Sequence, residues 1–67
     1  MKGLAFSSLR VGSKYKLTNF GETSEFVIEK VLHNDFAVKD LLTMERYQLK
    51  ELIKFGKGKD FEIRELD

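Results

Sequence analysis

The chain has no cysteine, no proline and no tryptophan, and it has a single histidine among its 67 residues. Without cysteine there is no disulfide framework and no thiolate nucleophile, and cysteine-based zinc sites are excluded. A chain of this length buries only about 60% of the surface that it exposes when unfolded, so it must fold on one small core. We expect a single domain over residues 1–67, with a lead-in over residues 1–8 that can be mobile.

A strong excess of charge of one sign is also missing. Twelve Lys and Arg side chains stand against eleven Asp and Glu side chains, which gives a formal charge of +1. Dedicated nucleic-acid binders usually carry a strong positive field. No apolar run approaches the ~20 residues that a membrane span requires, and Ser7 and Ser8 interrupt the apolar start well before a signal-peptide core of ~7 to 15 residues is reached. We therefore expect a cytoplasmic protein with no membrane partner.

The strongest structural signal is residues 25–32, an apolar and β-branched stretch with turn-forming residues beyond both ends. Phe26 and Ile28 share one parity, whereas Val31, which follows two charged residues, lies on the other. This switch predicts a strand with a bend or bulge at Glu29 and Lys30, and such a bend lets one strand serve both halves of a small barrel.

The other elements follow from alternation and turn chemistry. Strong alternation of Tyr15 and Leu17 with polar neighbours is typical of a half-buried antiparallel strand. We expect Phe26 and Ile28 to pack beside these two side chains, and Val31 to meet the third strand. The predicted strands cover residues 14–18, 25–32, 36–39, 45–49 and 61–65. The predicted turns cover residues 19–24, 33–35 and 40–44. We also expect a short α or 3₁₀ turn within residues 49–55 and a flexible loop over residues 56–60.

Short strands, hairpin turns and one helical turn before the last strand resemble an SH3-like small barrel, the architecture of SH3, Tudor and KOW domains. The resemblance covers residues 9–66, and it includes the opening LRVGSKY of residues 9–15. It implies an all-β fold, a five-stranded antiparallel SH3-like barrel with one short helical turn. Sm-like proteins are more distantly similar, but they usually have an N-terminal helix and a glycine in the second strand, so a ring that binds uridine-rich RNA is not expected.

The sequence offers no catalytic or metal-binding constellation. His33 lies in a predicted turn, and one histidine without cysteine supplies too few of the usual transition-metal ligands. The carboxylate pairs Glu22 with Glu25 and Glu62 with Glu65 flank turns or alternate with core positions, where a raised pKa for acid catalysis is not expected. We expect no enzyme activity, no cofactor and no metal site.

Two features suggest a binding surface. Lys54, Lys57 and Lys59 lie beside two glycines, whose exposed backbone amides can hold a phosphate or carboxylate, although a solvated connection is the simpler explanation. Alternation predicts core positions for four of the aromatic residues and leaves Phe20 and Phe55 open. A phenylalanine in a polar turn either caps the barrel end or projects toward a partner. The predicted core aromatics are Phe26, Phe36, Tyr47 and Phe61.

These features favour a non-catalytic interaction module whose partner is a protein, engaged through the predicted turn over residues 19–24. The alternative is single-stranded nucleic acid, held by lysines along its backbone with bases stacked on an exposed aromatic ring. The chain is expected to be a monomer or to form a weak homo-oligomer through edge strands. The candidate binding residues are Phe20, Lys14, Lys16, Lys54, Phe55, Lys57 and Lys59.

Overall fold

Five β-strands follow one another along the chain, with one 3₁₀ helix before the first strand and another before the last. The computed structural model describes residues 6–66. The predicted all-β class, with five antiparallel strands and a short helical turn before the last one, is confirmed. The elements are a first 3₁₀ helix (Phe6–Ser8), β1 (Lys14–Asn19), β2 (Glu22–Leu32), β3 (Asp35–Asp40), β4 (Arg46–Gln48), a second 3₁₀ helix (Leu49–Ile53) and β5 (Glu62–Glu65).

The strands form one antiparallel sheet in the order β4-β3-β2-β1-β5. The last strand therefore returns to lie beside the first. Within residues 6–66 the two edge strands, β4 and β5, do not pair with each other, so the sheet is not closed. Its principal extents of 27 × 25 × 25 Å are nearly equal, which shows that the sheet coils around its core rather than lying flat. This shape is compatible with a small β-barrel-like fold.

The predicted bend in the central strand is a β-bulge. Ile28 pairs with Val38 and Lys30 pairs with Ala37, so Glu29 is an extra residue opposite the partner strand. A bulge of this kind increases the local twist and bends the strand that carries it. The bend predicted from the parity switch is thus confirmed, and the strand is longer than predicted because it already begins at Glu22.

The core lies on the concave face of the coiled sheet. The expected contact between the first two strands is present, since Tyr15 pairs with Phe26 and both are fully buried. The Tyr15 hydroxyl accepts a hydrogen bond of 2.9 Å from the Arg10 amide, so this buried polar group is satisfied. Phe6, Phe36, Tyr47, Leu52 and Phe61 are half-buried against the core. The buried core residues are Leu9, Tyr15, Leu17, Phe26, Ile28, Val38, Leu49 and Ile63.

The first predicted turn is much shorter than expected, and its assignment to residues 19–24 is wrong. Only Phe20 and Gly21 connect β1 to β2, and their φ angles of 52° and 76° are typical of a type I′ turn. This turn matches the twist of the flanking strands, so the ladder continues to the pair Asn19 and Glu22. Residues 22–24 are therefore strand rather than loop.

Three smaller boundaries also differ. Asp35 belongs to β3 and not to the second turn, because Asn34 takes a φ of 63° and two residues are enough to reverse the chain. Leu49 is buried as predicted, but it begins the second 3₁₀ helix instead of ending a strand. The approach to β1, for which no regular element was predicted, contains a 3₁₀ helix followed by a turn at Gly12, whose φ is 88°.

The predicted mobile lead-in falls partly outside the described residues. Residues 1–5 are not described, while Phe6 lies edge-on to Phe61 with a ring-centroid distance of 6.2 Å. In the part of the chain that is described, no helix is long and apolar enough to cross a membrane.

Candidate binding groove

The tip of the hairpin between β1 and β2 is fastened to the C-terminal part of the chain by Asn19. This side chain is only 5% exposed, yet all of its polar groups are paired. Its Nδ2 donates hydrogen bonds to the carbonyls of Leu52 at 3.2 Å and Gly56 at 3.0 Å, and its Oδ1 accepts one from the Gly58 amide at 2.7 Å. Asn19, which the sequence suggested as a turn former, is thus a buried residue that joins the hairpin tip to the later part of the chain by hydrogen bonds.

Two further residues, Asp60 and Lys57, hold the loop over residues 56–60 in place. The Asp60 carboxylate accepts hydrogen bonds from the amides of Phe20 at 2.9 Å and Gly21 at 2.8 Å. The Lys57 ammonium lies 5.1 Å from the ring centroid of Phe6 and 5.0 Å from that of Phe61, within the range of cation–π attraction. The loop over residues 56–60 is therefore held to the hairpin turn and to the first 3₁₀ helix.

These contacts fix the position of Phe20. Its side chain is 58% exposed, but its ring lies against Gly58. A Cβ atom at residue 58 would come within 2.9 Å of Phe20 Cδ1, which is closer than side chains tolerate. A side chain at residue 58 would therefore force the Phe20 ring to shift.

Phe20 and Phe55 line the same groove, although they are far apart in the sequence. Phe55 is 82% exposed, half-buried Leu52 lies beside it in the lining, and the Lys54 ammonium lies 5.2 Å from the Phe55 ring centroid. The groove has a volume of about 200 Å³, and we call it the aromatic groove. It is lined by Asn19, Phe20 and Glu22 from the hairpin and by Glu51, Leu52, Lys54 and Phe55 from the second 3₁₀ helix and the residues after it.

The candidate lysines do not gather at this groove. Lys54 lines it, whereas Lys57 lies over the Phe6 and Phe61 rings and Lys59 is exposed in the loop. Lys16 lines a separate depression with Thr18, Glu62 and Arg64. Lys14 is at the opposite end of β1 from the hairpin tip, about 17 Å away at the usual rise of a strand.

A second groove continues from the aromatic groove across the second 3₁₀ helix. It has a volume of about 440 Å³ and shares Glu51, Leu52 and Lys54 with the first. The Glu51 carboxylate accepts a hydrogen bond of 3.2 Å from the Gln48 amide, which caps this helix and fixes the shared wall. The other residues of the second groove are Ser24, Asp40, Glu45, Arg46 and Tyr47.

Two titratable groups in the second groove are perturbed. Hydrogen bonds from the amides of Thr43 and Leu42 hold the pKa of the Asp40 carboxyl below its ordinary value. Burial raises the pKa of Tyr47 to about 12, and the nearby negative charge of Asp40 contributes to this shift. The Tyr47 hydroxyl is buried and makes no hydrogen bond of good geometry within residues 6–66, but it lies close enough to the Asp40 carboxylate for that group to contribute to the raised pKa. This arrangement stabilises a neutral tyrosine and does not supply a base at neutral pH.

The sequence identified the residues that complete the aromatic groove only in part. Asn19 and Glu22 belong to the predicted binding turn over residues 19–24, whereas Glu51 and Leu52 were not expected, since only the packing of the hairpin on the helix brings these four residues together. The one local signal was the capping arrangement that begins at Gln48, a polar residue three positions before a glutamate.

No metal-binding cluster is formed by the side chains of residues 6–66. His33 is exposed in the turn between β2 and β3, and residues 6–66 hold no group of three His, Asp or Glu side chains that is suited to a metal ion. What the structure does present is an exposed aromatic groove with mixed charges.

Comparison with protein-family models, with curated proteins and with solved structures finds no match for the chain.

Proposed function

We propose that this chain is a small SH3-like barrel that works as a non-catalytic interaction module and binds a protein partner through the aromatic groove. The observation that carries the proposal is the exposure of two large aromatic side chains, Phe20 and Phe55, in one groove. Aromatic residues are enriched in the energetically dominant centres of protein interfaces, and apolar surface with a polar rim commonly marks such a site.

The backbone at Phe20 supports the same conclusion. Its φ of 52° lies in the left-handed region, which costs a bulky residue about 1 to 2 kcal/mol. Asparagine or glycine fits the first position of a type I′ turn better. Because the ring is also largely exposed, we attribute the phenylalanine at this position to contact with a partner rather than to stability of the fold.

The charges around the groove favour a protein over a nucleic acid. Glu22 and Glu51 line the groove with Lys54, so a phosphate backbone would meet more negative than positive charge. Nucleic-acid affinity depends mainly on cations that replace the counterions of the phosphates. Lys14 and Lys16 lie away from both exposed aromatic rings and do not add to such a surface.

The SH3-like architecture is supported by the connectivity of the strands. The last strand pairs with the first, a bulge bends the long second strand, and a 3₁₀ helix precedes the last strand. In this arrangement the sheet is the scaffold, and the hairpin tip and the helix hold the binding side chains at one end.

The test is capture of a partner from source-cell extract on the tagged chain, followed by titration of the purified partner by calorimetry. We expect Phe20→Asn and Phe55→Ser each to weaken binding at least tenfold, as expected for the loss of a hot-spot side chain worth ~1.4 kcal/mol or more. Leu42→Ser is the matched control, because Leu42 is 89% exposed and lines neither groove.

Equal binding by the wild type and Phe20→Asn would contradict the proposal, provided that circular dichroism shows both to be folded. A parallel titration with single-stranded RNA and DNA at two salt concentrations addresses the alternative. Salt-dependent binding that Phe20→Asn and Phe55→Ser abolish would favour nucleic acid as the partner instead.

A further inference from the structure

We infer that the segment bound in the aromatic groove is an extended peptide with an apolar anchor residue and a neighbouring Lys or Arg. This inference rests on the proposed function and specifies the chemistry of the partner. It follows from three features of the two grooves: the lining residues that they share, their charge and the exposed face of one aromatic ring.

The two grooves adjoin each other. Glu51, Leu52 and Lys54 line both of them, so a ligand that fills the aromatic groove can extend over these shared residues into the second groove. Phe20 lines only the aromatic groove, and Tyr47 lines only the second groove. A single side chain occupies only part of such a surface, whereas an extended segment can place successive side chains along it.

The combined surface is negative on a chain that is slightly positive overall. Four carboxylates line it against two cations, which gives a formal charge of −2, while the whole chain carries +1. One of the cations, Arg46, is already paired with Glu29 from outside the grooves at 2.9 Å. Complementary charge steers association and selects among partners. The carboxylates are those of Glu22, Asp40, Glu45 and Glu51.

The Phe55 ring already accommodates an ammonium group on its exposed face. The Lys54 Nζ lies 5.2 Å from its centroid, and at such an exposed site the attraction is only about 0.5 to 1 kcal/mol. A cation of the partner can therefore replace Lys54, and the Glu51 carboxylate also lines the groove. Phe20 and Leu52 are left to hold the apolar anchor.

The experiment starts with selection of a displayed library of random linear peptides on the immobilised chain. We expect the enriched peptides to share an apolar residue and a Lys or Arg a few positions away. One enriched peptide is then synthesised with a fluorophore, and its affinity for variants of the full chain is measured by fluorescence anisotropy.

The variants separate charge from shape. Glu22→Gln and Glu51→Gln each remove a charge but keep an oxygen that can accept a hydrogen bond, so the cap on the second 3₁₀ helix is retained. We expect each to weaken binding about two- to fivefold, and Lys54→Gln to strengthen it by a similar factor. Glu65→Gln, in β5 and outside both grooves, is the matched control with unchanged affinity.

The outcomes distinguish this inference from the proposed function. Enriched peptides that need Phe20 but show no basic residue, or that bind Glu22→Gln and Glu51→Gln as tightly as the wild type, overturn the inference and leave the proposed function standing. Failure to enrich any peptide, or enrichment that Phe20→Asn does not reduce, counts against both.

Discussion

Replacement of Asn19 by alanine should strongly destabilise the fold. The truncation removes two hydrogen bonds to the carbonyls of Leu52 and Gly56 and one from the amide of Gly58. A typical buried hydrogen bond contributes about 1 kcal/mol net, and a partner left unsatisfied costs about 1 to 3 kcal/mol. Gly56 is exposed, so water can replace one of the three bonds. We expect a loss of about 3 kcal/mol.

That loss is large for a domain of this size. At about 0.05 to 0.15 kcal/mol per residue, 67 residues give a free energy of unfolding of roughly 3 to 10 kcal/mol. The assay is urea unfolding followed by far-ultraviolet circular dichroism, with the free energy obtained by linear extrapolation. Asp60→Ala is the comparison, because Asp60 also accepts two hydrogen bonds at the hairpin tip but is exposed, and it should cost only about 1 kcal/mol.

Asn19→Asp provides an independent check. It keeps the oxygen that faces the Gly58 amide but replaces the Nδ2 donor with a second oxygen directed at two carbonyls. This variant should be about as unstable as Asn19→Ala at neutral pH and should recover part of its stability in acid, where a protonated carboxyl can donate one hydrogen bond. The reasoning would be refuted if Asn19→Ala cost no more than Asp60→Ala.

Four further predictions follow from the same contacts. Phe20→Asn should leave the free energy of unfolding unchanged or raise it by up to about 1 kcal/mol, measured by urea unfolding, because asparagine tolerates the left-handed backbone; a large loss would show that the ring is structural. Gly58→Ala should displace the Phe20 ring and weaken partner binding, and it should lower the melting temperature because the new Cβ would also crowd Asn19 Oδ1 at 3.2 Å. Stability should fall as pH rises from about 10 towards 12, because the folded pKa of Tyr47 is raised above its unfolded value, and Tyr47→Phe should reduce this dependence in urea titrations at several pH values. Leu17→Lys should abolish the cooperative unfolding transition, since Leu17 is only 2% exposed; a cooperative transition near that of the wild type would contradict this.

The strands were predictable because their signals are local. Alternation around Tyr15 and Leu17, and the parity switch after Ile28, depend only on neighbouring residues and on the two-residue period of a strand. The bulge at Glu29 and the inward-facing side chains of the first two strands therefore agree with the sequence-based expectations. The hairpin boundary failed because asparagine and glycine are compatible with both long and two-residue turns.

The candidate site was only partly predictable, because it is formed by residues that are distant in the sequence. Exposed Phe20 and Phe55 were recognised as open cases, but no local pattern indicates that they share a groove. The burial of Asn19 and its hydrogen bonds to later residues were not predicted for a related reason. A buried asparagine and a turn asparagine look alike until the groups that it binds are known, and those groups here are backbone atoms of the later loop.

The contacts of the hairpin tip also determine at which stage of folding the groove forms. Gly58 lies 39 positions after Asn19, and Asp60 lies 40 positions after Phe20. The hairpin itself is local and can form early, but such distant contacts form only after the entropy of closing a long loop has been overcome. A ribosome-bound chain that has not yet released residue 60 can have its hairpin without a groove. Partner binding should therefore begin only after the loop over residues 56–60 has docked on the hairpin tip.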